Sequence, residues 1–177
     1  SDFGMIYAGA QKNIGPSGMA VVIIRKDLAG KAADTVPTLL RYSTHIEKES
    51  LFNTPPTLPI YVVDLVCKWI EKKGGLEGME KFNIDKAAKL YDCIDGNGDF
   101  YRCPVEKEAR SKMNVVWRLP SEELEAKFIK DAADNDMKGL KGHRSVGGIR
   151  ASIYNACPEA AIDALVSFMN DFAKANG

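Results

Sequence analysis

Met5-Ile6-Tyr7-Ala8 and Met19-Ala20-Val21-Val22-Ile23-Ile24 are two short apolar runs. Between them lie mostly small residues, Gly9-Ala10-Gln11-Lys12-Asn13-Ile14-Gly15-Pro16-Ser17-Gly18. Apolar runs of this length with few polar residues predict strands buried on both faces of a sheet. A lysine in their connecting loop, framed by Gly9, Ala10, Gly15 and Gly18, has open space where ordinary side chains would crowd it. Burial disfavours an ammonium, so a lysine held there can become a free amine that attacks a carbonyl. A phosphate-gripping P-loop is not the explanation, because Asn13 follows Lys12 and position 11 is Gln rather than Gly. The same composition also suits a surface hairpin with a solvated lysine. Spacing alone leaves both readings open.

Outward from this segment the chain reads as α/β. A short helix is expected over residues 27–33, and residues 43–58 read as irregular, ending in Asn53-Thr54-Pro55-Pro56-Thr57. Val62, Val63, Val66, Trp69 and Ile70 share one helical face that stops at Gly74-Gly75. A second helix is expected over 76–94, closed by Asp95-Gly96-Asn97-Gly98. Beyond it the pattern is strand (100–103), strand (113–119), helix, strand (137–141), strand (148–154), helix. Ser121 is the expected cap of the first of those helices, and Ile162, Leu165, Val166, Met169 and Phe172 form the buried stripe of the last. The boundary falls at Gly74-Gly75, with residues 1–75 as part of an α/β sheet domain and residues 76–177 as a compact α+β domain.

Composition narrows the function. The 177 residues, 45% of them hydrophobic and 27% charged, can bury a sizeable core. Lys plus Arg and Asp plus Glu number 24 each, which speaks against a nucleic-acid or anionic-membrane partner. The longest apolar run, Met19 to Ile24, falls far short of the ~20 residues that cross a bilayer. Four scattered cysteines, Cys67, Cys93, Cys103 and Cys157, offer neither a metal-site spacing nor a disulfide framework and suggest a reducing, cytoplasmic compartment. No secretory leader is read at the start. Because the chain begins at Ser1 and turns strand-like by Met5, it reads either as trimmed or as a piece of something longer.

Two further clusters carry binding chemistry. Asn53 and Thr54 are neutral hydrogen-bond donors on a proline-stiffened loop, suited to a phosphate or to a plain turn. His143, Arg144 and Arg150 lie among Gly142, Gly147 and Gly148, and arginine forks bind carboxylate and phosphate in bidentate fashion. Ordinary exposed arginines would look the same by residue type alone.

Several long motifs, in order over the whole chain, resemble the phosphoserine aminotransferase family of pyridoxal-phosphate enzymes. These are 8–18 around Lys12, Ser50-Leu51-Phe52-Asn53-Thr54-Pro55-Pro56-Thr57, Trp69-Ile70 through Gly74-Gly75, Arg110-Ser111-Lys112-Met113-Asn114, and the tract from Gly142 to Ala156. The resemblance implies the C-terminal part of the PLP-dependent transferase fold: the end of the large-domain sheet plus the small α+β domain. It implies pyridoxal 5'-phosphate as cofactor, held covalently by Lys12, with Gln11, Asn53 and Thr54 toward the cofactor phosphate. Asn53 and Thr54 would reach a neighbouring subunit in a homodimer. It assigns Arg150 to the substrate α-carboxylate and His143 and Arg144 to the substrate phosphate, with Lys12 as the catalytic base and no metal. The implied reaction moves an amino group from glutamate to 3-phosphohydroxypyruvate in serine biosynthesis; bacterial relatives also serve vitamin B6 (pyridoxine) synthesis. The family's stacking ring, pyridine-nitrogen carboxylate and phosphate turn lie upstream of the resembling segment, so the chain alone is expected to lack useful transaminase activity. Two rivals remain: another fold type I enzyme, of the serine–glyoxylate aminotransferase or cysteine desulfurase type, and a non-catalytic anion-binding or dimerisation module.

Overall fold

The computed structural model describes residues 2–177, which divide into two compact units, one ending at Lys72 and one spanning Lys73–Gly177. In the first, β1 (Met5–Gly9) and β2 (Ala20–Ile24) form an antiparallel hairpin with Met5 opposite Ile24 and Gly9 opposite Ala20. The expectation of strands buried on both faces fails here. A two-stranded sheet gives each strand one neighbour, and Tyr7 and Ile23 stay 74% and 63% exposed.

The expected helix over 27–33 shrinks to α1 (Lys26–Ala29), ended at Gly30. The segment expected to be irregular contains a second helix, α2 (Tyr42–Glu47). Local hydrogen bonding explains it: the Arg41 guanidinium gathers Val36 O and Asp34 O, at 2.6 and 2.5 Å, and sets the entry. Glu49 and Ser50 then take φ of 50° and 66°, left-handed values that halt the helix. α3 (Thr57–Lys72) starts directly after Pro55-Pro56, and Gly74, with φ 95°, begins the turn into α4 (Gly75–Gly96).

The second unit closes a core. β3 (Asn114–Trp117) and β4 (Ile149–Ser152) pair antiparallel, with Val116 opposite Arg150. α5 (Glu122–Asp134) is capped as expected, Ser121 Oγ accepting from the Leu124 N–H at 3.3 Å. α4 packs against α6 (Glu159–Asn176). The expected strands at 100–103 and 137–141 are reduced to single bridges, Arg102 with Arg118 and Lys141 with Ile149. Phe128 sits at the centre, its ring 5.0 to 6.3 Å from Phe172, Phe168, Trp117 and Tyr101. Such edge-to-face contacts add to the area these rings bury. Among the described residues no helix is long and apolar enough to cross a membrane, no group of His, Cys, Asp and Glu could hold a metal ion, and all four cysteines are free.

Lys86, on α4, is fully buried. Its Nζ donates to the carbonyls of Ile153, Tyr154 and Cys157 at 3.2, 2.8 and 3.2 Å and lies 4.5 Å from the Phe82 ring centroid. One turn earlier, Asn83 donates to Asn155 Oδ1 at 2.8 Å. The two side chains fasten the turn that leads from β4 into α6. Burial holds the Lys86 ammonium below the ordinary lysine range. Between that lowered value and the usual one near 10.5, the unfolded chain binds a proton that the folded chain does not, so folding stability rises with pH. Urea denaturation at pH 7 to 9.5 should show this rise in the native sequence relative to Lys86→Met. Parallel pH dependences in the two proteins would contradict it.

Candidate active site

The turn carrying Lys12 is built on a narrow base. Ala10 is completely buried, its N–H donates to Met19 O at 3.1 Å, and Gly15 N–H donates to Ala10 O at 2.8 Å. Two glycines of the turn stand close to neighbouring side chains, and at Gly9 the neighbour is the flexible end of Gln11. A Cβ on Gly9 would come within 2.5 Å of Gln11 Oε1, and one on Gly15 within 2.6 Å of Val63 Cγ2. Of the two settings the sequence left open for Lys12, buried or solvated, the structure shows the second: Lys12 and Gln11 are both exposed. The glycine-framed turn nevertheless presents a primary amine with room around it, which a covalently held aldehyde cofactor needs.

Asn53 and Thr54 are exposed as well. They line a hollow of about 550 Å³ with Met19, Ala20, His45 and Ser50. The chain turns into this loop through Ser50, whose N–H donates to His45 O at 2.8 Å. His45 itself donates from Nε2 to Leu39 O at 2.9 Å, a structural role. Neutral amide and hydroxyl donors on a stiff loop fit the phosphate end of the same cofactor.

In the second unit His143 and Arg144 ride on the loop from Gly142 to Gly148, which joins the Lys141 bridge to β4. Gly142 N–H donates to Gly148 O at 2.8 Å, and the N–H groups of Val146 and Gly147 donate to His143 O at 2.9 and 2.8 Å. A Cβ on Gly142 would lie 2.0 Å from Gly147 O, so only glycine permits the closure. Ser145 N–H donates to His143 Nδ1 at 3.3 Å, and Ser145 Oγ lies 2.7 Å from the same nitrogen. With Nδ1 accepting, the neutral ring keeps its proton on Nε2, which is then the ring's donor.

Arg150 follows on β4, on the sheet face opposite the buried Ile149 and Ala151. Its Nε is buried with no hydrogen-bond partner among the described residues, an unspent donor of the kind an anionic ligand satisfies. The sequence reading treated His143, Arg144 and Arg150 as one cluster, but the structure does not gather them into one recess. His143 and Arg144 line a hollow of about 430 Å³ with Arg118 and Glu125, while Arg150 lines another of about 680 Å³ beside Tyr154 and Cys157. The loop turns back at Gly147-Gly148, with φ of 75° and 71°, and this separates the two positions.

Sequence reasoning missed Ser145, Arg118 and Glu125. Strand alternation could have flagged Arg118, which shares a face with Asn114 and Val116 opposite Val115, Trp117 and Leu119.

The Aminotransferase class-V family model matches residues 1–165. The chain belongs to the class-V aminotransferases. Over 177 residues it is 53% identical to the phosphoserine aminotransferase of Niallia circulans, covering 100% of this chain and 49% of that protein. The solved phosphoserine aminotransferase from Bacillus circulans subsp. alkalophilus superposes with TM-score 0.96 at 54% identity, covering 99% of this chain and 48% of that one. A PLP-bound phosphoserine aminotransferase from Trichomonas vaginalis gives TM-score 0.88 at 42% identity, over 94% of this chain and 48% of its own. The chain therefore has the mixed helix-and-strand fold of part of these PLP-dependent enzymes and spans about half the length of the curated relatives it matches.

The ring nitrogens of His143 offer a direct check on the loop geometry. Their ¹⁵N shifts should show a neutral ring protonated mainly on Nε2, and Ser145→Ala, which keeps the backbone donor but loses the hydroxyl, should reduce that excess. A neutral ring protonated mainly on Nδ1 contradicts the geometry.

Proposed function

We propose that residues 1–177 supply the C-terminal half of a phosphoserine aminotransferase, which moves an amino group from glutamate to 3-phosphohydroxypyruvate to form 3-phosphoserine in serine biosynthesis. The observation that carries this reading is the 53% identity running over all 177 residues to a relative of that name. Residues 1–75 are then the end of the cofactor-binding domain and 76–177 the small domain. The enzyme acts as a homodimer in the cytoplasm.

Pyridoxal phosphate, when bound, supplies the electron sink that makes the substrate Cα–H acidic. Lys12 would hold it covalently through Nζ, and the Lys12 amine would be the base that takes the proton from the substrate Cα. Gln11, Asn53 and Thr54 hold the cofactor phosphate with neutral donors, the last two reaching it from a second copy of the chain. Arg150 takes the α-carboxylate that both substrates share, satisfying its otherwise unpartnered Nε. His143, through Nε2–H, and Arg144 take the phosphate that only one substrate carries. Desolvation of the Lys12 amine, which the hairpin by itself does not provide, comes from the cofactor-side half that covers it.

A hybrid enzyme, in which residues 1–177 replace the aligned segment of the Niallia circulans relative, tests these assignments. Borohydride reduction in the presence of pyridoxal phosphate should place the label on Lys12, and Lys12→Ala should abolish it with the fold intact. A label on any other lysine refutes the assignment. Kinetics should also separate the cations. Arg150→Ala should weaken glutamate and the phosphorylated substrate alike. Arg144→Ala should weaken the phosphorylated substrate selectively, by about 1.5–3 kcal/mol for a lost charged hydrogen bond. Equal losses for both substrates in both variants would reject the division of roles.

A further inference from the structure

The loop from Gly142 to Gly148 carries both proposed phosphate ligands, and the backbone bonds given above for it are internal to the loop. A side chain from outside also donates into it: Arg118 Nη1 reaches Val146 O at 3.0 Å. Arg118 extends from the end of β3, and its stem lies across the returning limb of the loop. A Cβ on Gly148 would stand 2.6 Å from Arg118 Cδ and 3.0 Å from Trp117 O, and one on Gly147 would be 3.6 Å from Arg118 Nη1. Gly148 thus serves two ends, its left-handed φ and the passage of this arginine, while Gly147 answers to its φ alone.

The other side of the guanidinium is anchored in the core. Arg118 Nε donates to Glu125 Oε1 at 2.5 Å, and the same oxygen accepts the Leu119 N–H at 3.3 Å. The Glu125 side chain is only 8% exposed, against 29% for Arg118. One turn along α5 from Glu125 stands Phe128, the fully buried centre of the aromatic cluster. A continuous chain of contacts therefore runs from Phe128 through α5 and Glu125 to Arg118 and on to the loop backbone. The carboxylate also neutralises Arg118, so this cation does not compete with His143 and Arg144, which are exposed, for an anion in the 430 Å³ recess they line together.

We propose that Arg118, held by Glu125, is a positioning residue that sets the place of His143 and Arg144 and thereby the preference for the phosphate-bearing substrate. This rests on the transaminase reading above. It makes no direct contact with substrate; it acts by removing the loop's freedom to move, so that less order has to be gained on binding.

Two measurements test it. In the 177-residue chain, Arg118→Ala should raise amide hydrogen exchange at Val146 and Gly147 about tenfold or more, with exchange in α4 and α6 unchanged. In the hybrid enzyme, the same substitution should raise KM for 3-phosphohydroxypyruvate about tenfold, while kcat and KM for glutamate stay within about twofold. Arg118→Lys, with one donor group in place of a fork, should recover only part of the loss. Glu125→Gln, which keeps an acceptor for Leu119 but not the charge, gives the same direction with smaller size and serves if Arg118→Ala does not fold. Unchanged exchange at Val146 and Gly147 overturns the proposal. So does faster exchange without a selective KM change, since the loop would then be held for stability alone. A hybrid with Arg118 intact that does not turn over phosphohydroxypyruvate instead sinks the transaminase reading, and this inference with it.

Discussion

The two-residue period of β3 and β4 is the constraint on which the second unit depends. Alternate side chains of a strand point to opposite faces, so Val115 and Trp117 on one strand, and Ile149, Ala151 and Ile153 along the other, enter the core around Phe128. The positions between them, Asn114, Val116, Arg118, Arg150 and Ser152, are forced to the other face. Ser152 Oγ donates to Asn114 Oδ1 at 2.9 Å there, so the polar face is itself ordered. A one-residue slip of register would exchange the two sets, burying Arg150 and exposing Trp117. The core therefore fixes where Arg118 and Arg150 stand.

The first unit follows a different logic. Its hairpin holds Lys12 on a turn closed by the small residues around Ala10, but Tyr7, Ile23, Leu40 and Leu58 lie largely exposed. Exposed apolar area of this kind marks a surface made for contact with other protein. In the proposed enzyme that contact comes from the rest of the cofactor domain and from a second copy, and the same covering desolvates the lysine. Chemistry and packing are then coupled: the group that needs a dry site sits on the element that most lacks neighbours.

Much of this was legible in the sequence, for reasons that are local. Helical periodicity marked α3, α4 and α6, Ser121 marked the start of α5, and the small residues around Lys12 marked its turn. What escaped depends on distant partners. Nothing near Lys86 announces that three carbonyls some seventy positions away will receive its ammonium. Helix α2 forms in a segment read as irregular because Arg41 organises the residues before it. The strands expected at 100–103 and 137–141 shrink to bridges because one paired residue satisfies each, and the expected burial of β1 and β2 requires neighbours that local pattern cannot count. The Arg118–Glu125 contact was missed because an ion pair between a strand end and a helix has no fixed sequence spacing.

The central claim is that this chain brings a phosphate-selecting loop and a cofactor lysine to one transaminase. The most direct measurement is the ratio of kcat/KM for 3-phosphohydroxypyruvate to that for unphosphorylated hydroxypyruvate in the hybrid enzyme, with glutamate as amino donor. Loss of one charged hydrogen bond corresponds to roughly ten- to hundredfold, and His143 and Arg144 supply two such donors, so a ratio above about one hundred is predicted. A ratio near one, or a preference for the unphosphorylated keto acid, would contradict the account.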